Sequence, residues 1–303
     1  MPKKHTSGQG PTLVTHPAAR RARLPVVTTT KLFINGAFVR SESGRTQPMQ
    51  VGDEVREIPV SSRKDARDAV VAARSSANGW RQRTSYNRGQ VLYRVAEKLE
   101  LSRSRFAQLS GGAEFVDSVV DRWVWFAGWA DKVSQLLGSV NDVAGPYLNL
   151  SEIDATGVVV LFLGDTNTAK PGADSLATFI EQVGPALVTG NSVVAVSSPE
   201  SAGIVLEFAD VLATADIPPG VVNLLTGPRA EVATALVTHA DVNAVDLAGI
   251  SAFGDVSHYE ELAAQTLKRV VSPFRLPADR DRAALARMRS FTEVKTVWHS
   301  AGR

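Results

Sequence analysis

Apolar positions follow two different rhythms along this chain, and the change comes near residue 157. In the first part they are spaced for short strands and amphipathic helices. Leu32, Ile34 and Phe38 flank Asn35-Gly36, which predicts a strand, a tight turn and a second strand. Val55 to Val60 predicts another short strand. Ser62-Arg63-Lys64-Asp65 has the character of a capping box, and Ala66, Ala69, Val70 and Ala73 follow at helical spacing until Asn78-Gly79. A second helix is predicted over 90–109, with Val91, Val95, Leu99 and Phe106 on one side and Gly111-Gly112 breaking the chain behind it. A third, over 114–137, lines up Val116, Val119, Trp123, Phe126, Ala130, Val133 and Leu137, so most of it should be buried. Trp123 and Trp125 cannot share a helix face, which makes Trp125 an interface candidate, with packing against other helices as the alternative.

From Gly157 the apolar residues come in continuous runs. GVVVLFLG (157–164) and NSVVAV (191–196) have the look of strands covered on both faces. Val221 to Leu225 and Val242 to Leu247 predict two more strands, with helices over 175–187, 201–213 and 230–238 and another after Gly249. This alternation predicts βαβ units: an α/β fold with a Rossmann-like parallel sheet and helices on both faces. Residues 276–290 are polar and rich in Arg and Asp, and read as a connector. FTEVKTVW (291–298) then alternates like a strand.

Composition narrows the function classes. The chain has 303 residues, 44% hydrophobic and 21% charged, as expected of a globular protein. The formal charge of +2 is unevenly placed. Residues 1–30 carry Lys3, Lys4, Arg20, Arg21 and Arg23 and no acid, leaving 28 basic against 31 acidic residues elsewhere, a net −3. Residues 1–30 therefore read as a disordered basic tail. The body offers no basic stripe for nucleic acid, and no apolar run is long enough to span a membrane. The chain contains no cysteine, which removes disulfides, thiolate metal sites and a thiol nucleophile, and fits a reducing cytoplasm. No P-loop, HExxH or GxSxG motif is present, and the five histidines are scattered.

One motif invites a ligand. GISAFG (249–254) follows a predicted strand and should open a helix, where glycines let a dinucleotide approach the backbone. Taken alone, such glycines are more readily explained by tight packing. Their context is more specific. KLFINGAFV, the RDAVVAAR helix ending at Gly79-Trp80, GPALVTGNSVV (184–194), IPPGVVNLLTG (217–227), THADVNAV (238–245) and GISAFG occur together in one order. As a set, over 31–270, they resemble the aldehyde dehydrogenase superfamily. DRWVWFAGWADK (121–132) looks most like the two-module (family 16 type) branch, in its degenerate second module.

The resemblance implies a cofactor domain, a catalytic domain and a small antiparallel β subdomain that joins subunits. It divides this chain into N-terminal strands and helices of the cofactor-type domain (31–145), oligomerisation strands (146–156), a Rossmann-like core (157–275), a connector in place of the catalytic domain (276–290) and a C-terminal oligomerisation strand (291–303). The family reaction uses a Cys thiolate, a Glu base and an Asn that holds the oxyanion. No Cys exists here, and Pro273 falls where the Glu should be. The Asn position falls on Thr166 or, counted from Gly184, on Ala173, with Asn167 inside an apparent insertion. The family's ribose-binding Lys and Glu become Val196 and Pro199, with Glu200 one step late. GISAFG keeps Gly249, Ser251 and Gly254 but has Ile250 in place of a Ser. The expected degenerate cofactor residues are therefore Gly249, Ser251, Gly254, Val196 and Thr166, with no catalytic or metal residue. No cofactor is expected, and any NAD(P) binding should be weak. Ser251 and Ser272 are the nearest hydroxyls, and neither has a base beside it in sequence.

These readings imply a catalytically inactive subunit that assembles through its β strands, with itself or with a full-length aldehyde dehydrogenase. Tyr147, Leu148, Leu150, Thr292, Val294, Thr296 and Trp298 are the interface candidates. The alternatives are an NAD(P)-binding module or an oxidoreductase subunit.

Overall fold

The computed structural model describes residues 27–110, 112–164 and 171–301, with side chains from 175 onward in the last stretch. Strand β1 (Thr28–Thr29) lies within the segment expected to be tail. β2 (Leu32–Ile34) and β3 (Ala37–Val39) form the predicted hairpin, turned by Asn35 and Gly36 at φ of 54° and 72°. β4 (Thr46–Val51) pairs antiparallel with β5 (Glu54–Pro59), which also takes β1 on its other side.

Ser62 caps α1 (Arg63–Arg81) in a complete capping box with Asp65. The helix predicted over 90–109 is instead two, α2 (Ser85–Leu101) and α3 (Arg103–Ser110), broken at Ser102. The next is likewise divided, into α4 (Ala113–Trp129) and α5 (Val133–Leu137). Trp123 is fully buried and stacked on Phe208, their rings 5.9 Å apart and 9° from parallel. Trp125 is partly buried, with the Arg122 guanidinium 3.9 Å from its ring centre, so it packs within the helical layer.

β6 (Ser139–Asn141) and β7 (Tyr147–Ala155) form a hairpin, and β8 (Val158–Phe162) enters the main sheet. Then α6 (Pro171–Val188), β9 (Ser192–Ser197), α7 (Pro199–Thr214), β10 (Val222–Thr226), α8 (Ala230–Val237) and β11 (Ala244–Asp246) alternate as predicted. A 3-10 turn (Ile250–Ala252), α9 (Val256–Ala264) and β12 (Arg269–Val271) follow. The polar connector is a helix, α10 (Arg280–Ser290), and leads into β13 (Thr292–Ser300).

The main sheet has the order β12-β11-β8-β9-β10-β2-β3, with β8 to β12 parallel. Alternate residues of β8, with Leu163 just after it, feed two cores: Val159, Leu161 and Leu163 pack on the side of α4, α6 and α7, and Val158, Val160 and Phe162 on the side of α1, α8 and α9. A strand buried on both faces needs an unbroken apolar run, which is what 157–164 supplies.

Charge holds α10 in place. Arg287 donates to Asp246 at 2.7 Å; Asp246 is fully buried at the end of β11. Arg122, also buried, reaches Asp281 at 2.6 Å and Glu181 at 2.7 Å. Among the described residues no helix is long and apolar enough to cross a membrane.

Candidate functional site

In an open parallel sheet the ligand crevice lies beyond the carboxyl ends of the strands, where the strand order reverses. Here β9 and β10 continue to one side of β8, while β11 and β12 lie on the other. The reversal therefore falls between β8 and β11.

The residues after those two strands are pressed together. Gly249 donates its N–H to Phe162 O at 3.0 Å, and a Cβ on it would stand only 2.1 Å from Leu163 O. This glycine is required by strand-end packing. Ile250 is buried behind it, whereas Ser251 and Gly254 are exposed. The motif does not open a helix directly, as its sequence suggested. It forms the 3-10 turn, and α9 starts only at Val256, capped by Asp255. The orphan amides of that helix are thereby displaced from Gly249.

A residue the sequence did not single out lies against the end of β8. Arg229, at the start of α8, is 6% exposed and donates to the Leu163 carbonyl. Its guanidinium lies 5.0 Å from the Phe253 ring centre, and Phe253 meets Phe162 and Tyr259 edge-on at 6.1 Å each. Nothing in the sequence beyond an Arg after Gly227-Pro228 signalled this stack.

The other expected positions lie close by without forming a polar site. Val196 is buried at the end of β9 and its side chain belongs to the apolar core shared with α1 and α8. Ser198 caps α7 by accepting from Ser201 N–H, Pro199 takes the first helical position and Glu200 is exposed. Pro273 opens a 3-10 turn behind buried Ser272. Thr166 and Asn167 lie outside the described residues, as does the side chain of Ala173. Val196 has no group to hold a ribose, and the Arg229–Phe253 stack covers the end of β8. Among the described residues no group of three or more His, Asp or Glu side chains is placed to hold a metal ion.

The interface candidates gather elsewhere. β13 pairs antiparallel with β7 over nine positions, from Thr292 opposite Ala155 to Ser300 opposite Tyr147, and β6 takes the far side of β7. Among the described residues β13 is thus an edge strand. Tyr147, Leu148, Val294 and Trp298 are 49%, 48%, 59% and 61% exposed. Tyr147 and Trp298 touch edge-on at 6.0 Å. Leu150 is half-buried and pairs across the sheet with exposed Val297 and Val140, forming an apolar stripe over three strands. Thr296 is exposed, its hydroxyl 2.9 Å from that of Ser151. Thr292 does not join the exposed set: it is buried, and its hydroxyl donates to Arg289 O at the end of α10. The charges on β13 are paired within the molecule. Glu293 takes two 2.6 Å bonds from Arg269, which hold its carboxyl below the ordinary carboxylate value, and Lys295 pairs with Asp154.

Comparison with known proteins places this architecture. Retinal dehydrogenase 2 from Homo sapiens is 29% identical over 257 residues, covering 80% of this chain and 48% of that protein. Its counterpart from Mus musculus is 30% identical with the same coverage. Among solved structures, the NAD+ complex of aldehyde dehydrogenase from Bacillus cereus superposes with a TM-score of 0.69 at 25% identity, over 80% of this chain and 50% of that one. Betaine aldehyde dehydrogenase from Staphylococcus aureus, in complex with NAD+, gives 0.69 at 23% identity, over 80% and 48%. The chain spans about half the length of the relatives it matches. With the aldehyde dehydrogenase family profile matching residues 38–273, this chain belongs to the aldehyde dehydrogenase family.

Proposed function

We propose that this chain is a non-catalytic aldehyde dehydrogenase-like subunit, akin to the degenerate module of the two-module branch, that acts in assembly in the cytoplasm. The observation that carries this reading is the sheet of β6, β7 and β13, whose nine-residue edge strand exposes Val294, Val297 and Trp298. An exposed edge with apolar side chains is a template for another chain.

The chemistry of the family has no support from the residues here. The chain holds no thiol to attack an aldehyde, Pro273 cannot move a proton, and Val196 leaves a ribose without its charged partner. Losing a charged hydrogen bond costs roughly 1.5–3 kcal/mol, about 10- to 100-fold in affinity. NAD(P) binding is accordingly weak or absent in this reading. The partner is a second copy or a full-length aldehyde dehydrogenase.

The test is to isolate the tagged chain from its own cell, measure native mass, and identify what accompanies it. A defined complex with itself or with an aldehyde dehydrogenase is expected, and the purified chain alone should form no NADH from NAD+ and a panel of aldehydes. A strictly monomeric chain that enriches no aldehyde dehydrogenase, or NADH formation by the chain alone, would overturn the reading. So would a low-micromolar Kd for NAD+.

A further inference from the structure

Two glycines lie where α2 and α4 cross, and packing requires only one of them. A Cβ on Gly89 would stand 2.9 Å from the Ala127 carbonyl oxygen, so this glycine lets the helix backbones approach. A Cβ on Gly128 would meet nothing within 4 Å. Glycine is less stable than alanine inside a helix, and no close contact at Gly128 offsets that loss. What the missing side chain leaves is room: a cleft of about 440 Å³ between the two helices, open to solvent. Sites for small organic ligands have this size.

The walls of the cleft are aromatic and apolar. Tyr86 and Tyr93 line it from α2 and are 68% and 50% exposed. Seven residues apart, they repeat on one helix face at about 10.5 Å along the axis. A ring midway between two such positions lies about 5 Å from each, within the range of favourable aromatic pairs. Exposed Val124 lines the facing wall on α4. Among the described residues neither tyrosine hydroxyl has a hydrogen-bond partner, and neither has the Gln90 amide beside them. Single exposed apolar residues are ordinary on a protein surface. Here three converge on one concavity that also offers free polar groups.

Charge narrows the ligand further. Ser85 and Arg88, near the start of α2, share a small cavity with Val133 and Ser134, beyond the end of α4, so the two helices run antiparallel. Arg94 with Glu97, at 2.9 Å, and Lys132 with Asp131, at 3.0 Å, therefore stand at opposite ends of the cleft. Each end is neutral, and an ionic ligand would have to break one of these pairs to find a counter-charge.

We propose that the α2–α4 cleft binds a small neutral aromatic molecule bearing a hydroxyl or amide group, its ring held between Tyr86 and Tyr93 over Gly128. The cleft shares no residue with the strand-end crevice or with the sheet of β6, β7 and β13, so the proposal does not depend on the assembly reading.

The four tyrosines of the chain provide the readout. Fluorotyrosine incorporated at all of them gives fluorine NMR signals that are assigned by replacing each in turn with phenylalanine. Exposed Tyr147 on the small sheet and buried Tyr259 beside the crevice serve as controls. The probe is β-naphthol, a neutral bicyclic ring with one hydroxyl. Titrated into the full chain, it should shift the signals of Tyr86 and Tyr93 saturably and leave those of Tyr147 and Tyr259 in place. Decahydro-β-naphthol, its saturated counterpart, should bind about 10-fold more weakly. Gly128→Leu fills the cleft and should abolish the shifts, whereas Gly128→Ala should raise the Tm. Tyr93→Ala, read at Tyr86, provides a second variant if Gly128→Leu folds poorly, and should weaken binding about 3- to 10-fold.

Absence of a saturable shift at Tyr86 and Tyr93, equal binding of the saturated alcohol, or full binding by Gly128→Leu and Tyr93→Ala would overturn the proposal. Movement of Tyr147 in step with the other two would show a general affinity for exposed rings, and a shift at Tyr259 alone would move the ligand to the strand ends; either would overturn it. Shifts at Tyr86 and Tyr93 produced by raising the protein concentration alone, with a doubled mass, would make a second copy the occupant. Shifts produced only by a co-isolated protein would give the cleft to that partner. Both results would equally overturn the small-molecule site.

Discussion

The strand ends of the main sheet and the edge of the small sheet were shaped by opposite demands. Between β8 and β11 the backbones touch through Gly249, Arg229 is packed down on Leu163 and Phe253, and Val196 faces into an apolar core. At β13 the backbone edge is open and Val294, Val297 and Trp298 stand more than half exposed. In this family of folds a crevice serves a ligand by leaving room and unpaired polar groups at the strand ends. Under the assembly proposed above, the described strand ends offer little to a ligand, whereas the β13 edge offers a surface to another chain. Helix α10 separates the two regions and joins them covalently.

The largest effect should come from breaking the anchor between them. Arg287→Ala leaves the fully buried Asp246 carboxylate without its cation. Removing one member of a buried ion pair costs about 3–5 kcal/mol, so urea unfolding should show a loss of that size. The double replacement Asp246→Leu/Arg287→Leu should recover much of it, since no charge is then stranded. Because α10 leads directly into β13, Arg287→Ala should also weaken assembly. A loss under about 1 kcal/mol would mean that the pair does not anchor α10.

Gly249→Ala tests the crevice itself. Its Cβ would collide with the Leu163 carbonyl, so the protein free of any ligand should lose about 1–3 kcal/mol. If the glycine serves only a ligand, thermal melting without ligand should be unchanged, and the contrast between the two regions loses one side.

Much of this architecture was legible in the sequence because local and global demands agree there. The unbroken run at 157–164 announced a strand buried on both faces, Asn35-Gly36 a hairpin, and Ser62 with Asp65 a helix start. Where folding depends on distant partners the sequence was silent. Helix α10 looked like a polar connector because its charges find buried partners far away, Arg287 on Asp246 and Asp281 on Arg122, while Ala284, Leu285 and Met288 alone mark its apolar side. The breaks at Ser102 and after Trp129 interrupt apolar patterns that continue across them. At the crevice, the positions of Gly249 and Val196 were legible. The turn that displaces α9 from Gly249 was not, nor was the descent of Arg229 onto Leu163, which needs β8 and β10 already placed on either side of β9. β6 was missed because Ser139-Val140-Asn141 is short and polar, and its asparagine bonds Asn149 only within the finished hairpin.

A smaller effect concerns acid stability. Glu207 on α7 holds Arg56 of β5 at 2.8 Å and Arg105 of α3 at 2.7 Å. Burial pushes its carboxyl upward, but the hydrogen bonds from the two arginines outweigh this and hold it below the ordinary carboxylate value. The stabilisation is therefore complete above that ordinary value and is lost as pH falls through the lowered one. Glu207→Gln should flatten this part of the pH–stability curve and leave the mass of the complex at neutral pH unchanged. An unaltered acid limb would show that the bridge contributes nothing. A change in mass would place the β5 side, rather than β13, at the interface.

The smallest effect on the fold, and the sharpest on the contrast, is expected at Trp298. It is mostly exposed and touches Tyr147 edge-on, so Trp298→Thr should shift the stability of the dilute monomer by no more than about 0.5 kcal/mol. Threonine keeps the strand's β propensity, which leaves the pairing with β7 intact. If β13 is an interface, the same replacement removes an exposed aromatic side chain from it. Buried tryptophans at interfaces cost about 2 kcal/mol or more when truncated, so the Kd of the assembly should rise at least about 30-fold by sedimentation equilibrium. An unchanged Kd with unchanged stability would mean that Trp298 is an ordinary exposed side chain. The open edge would then have to be explained by a partner other than this chain.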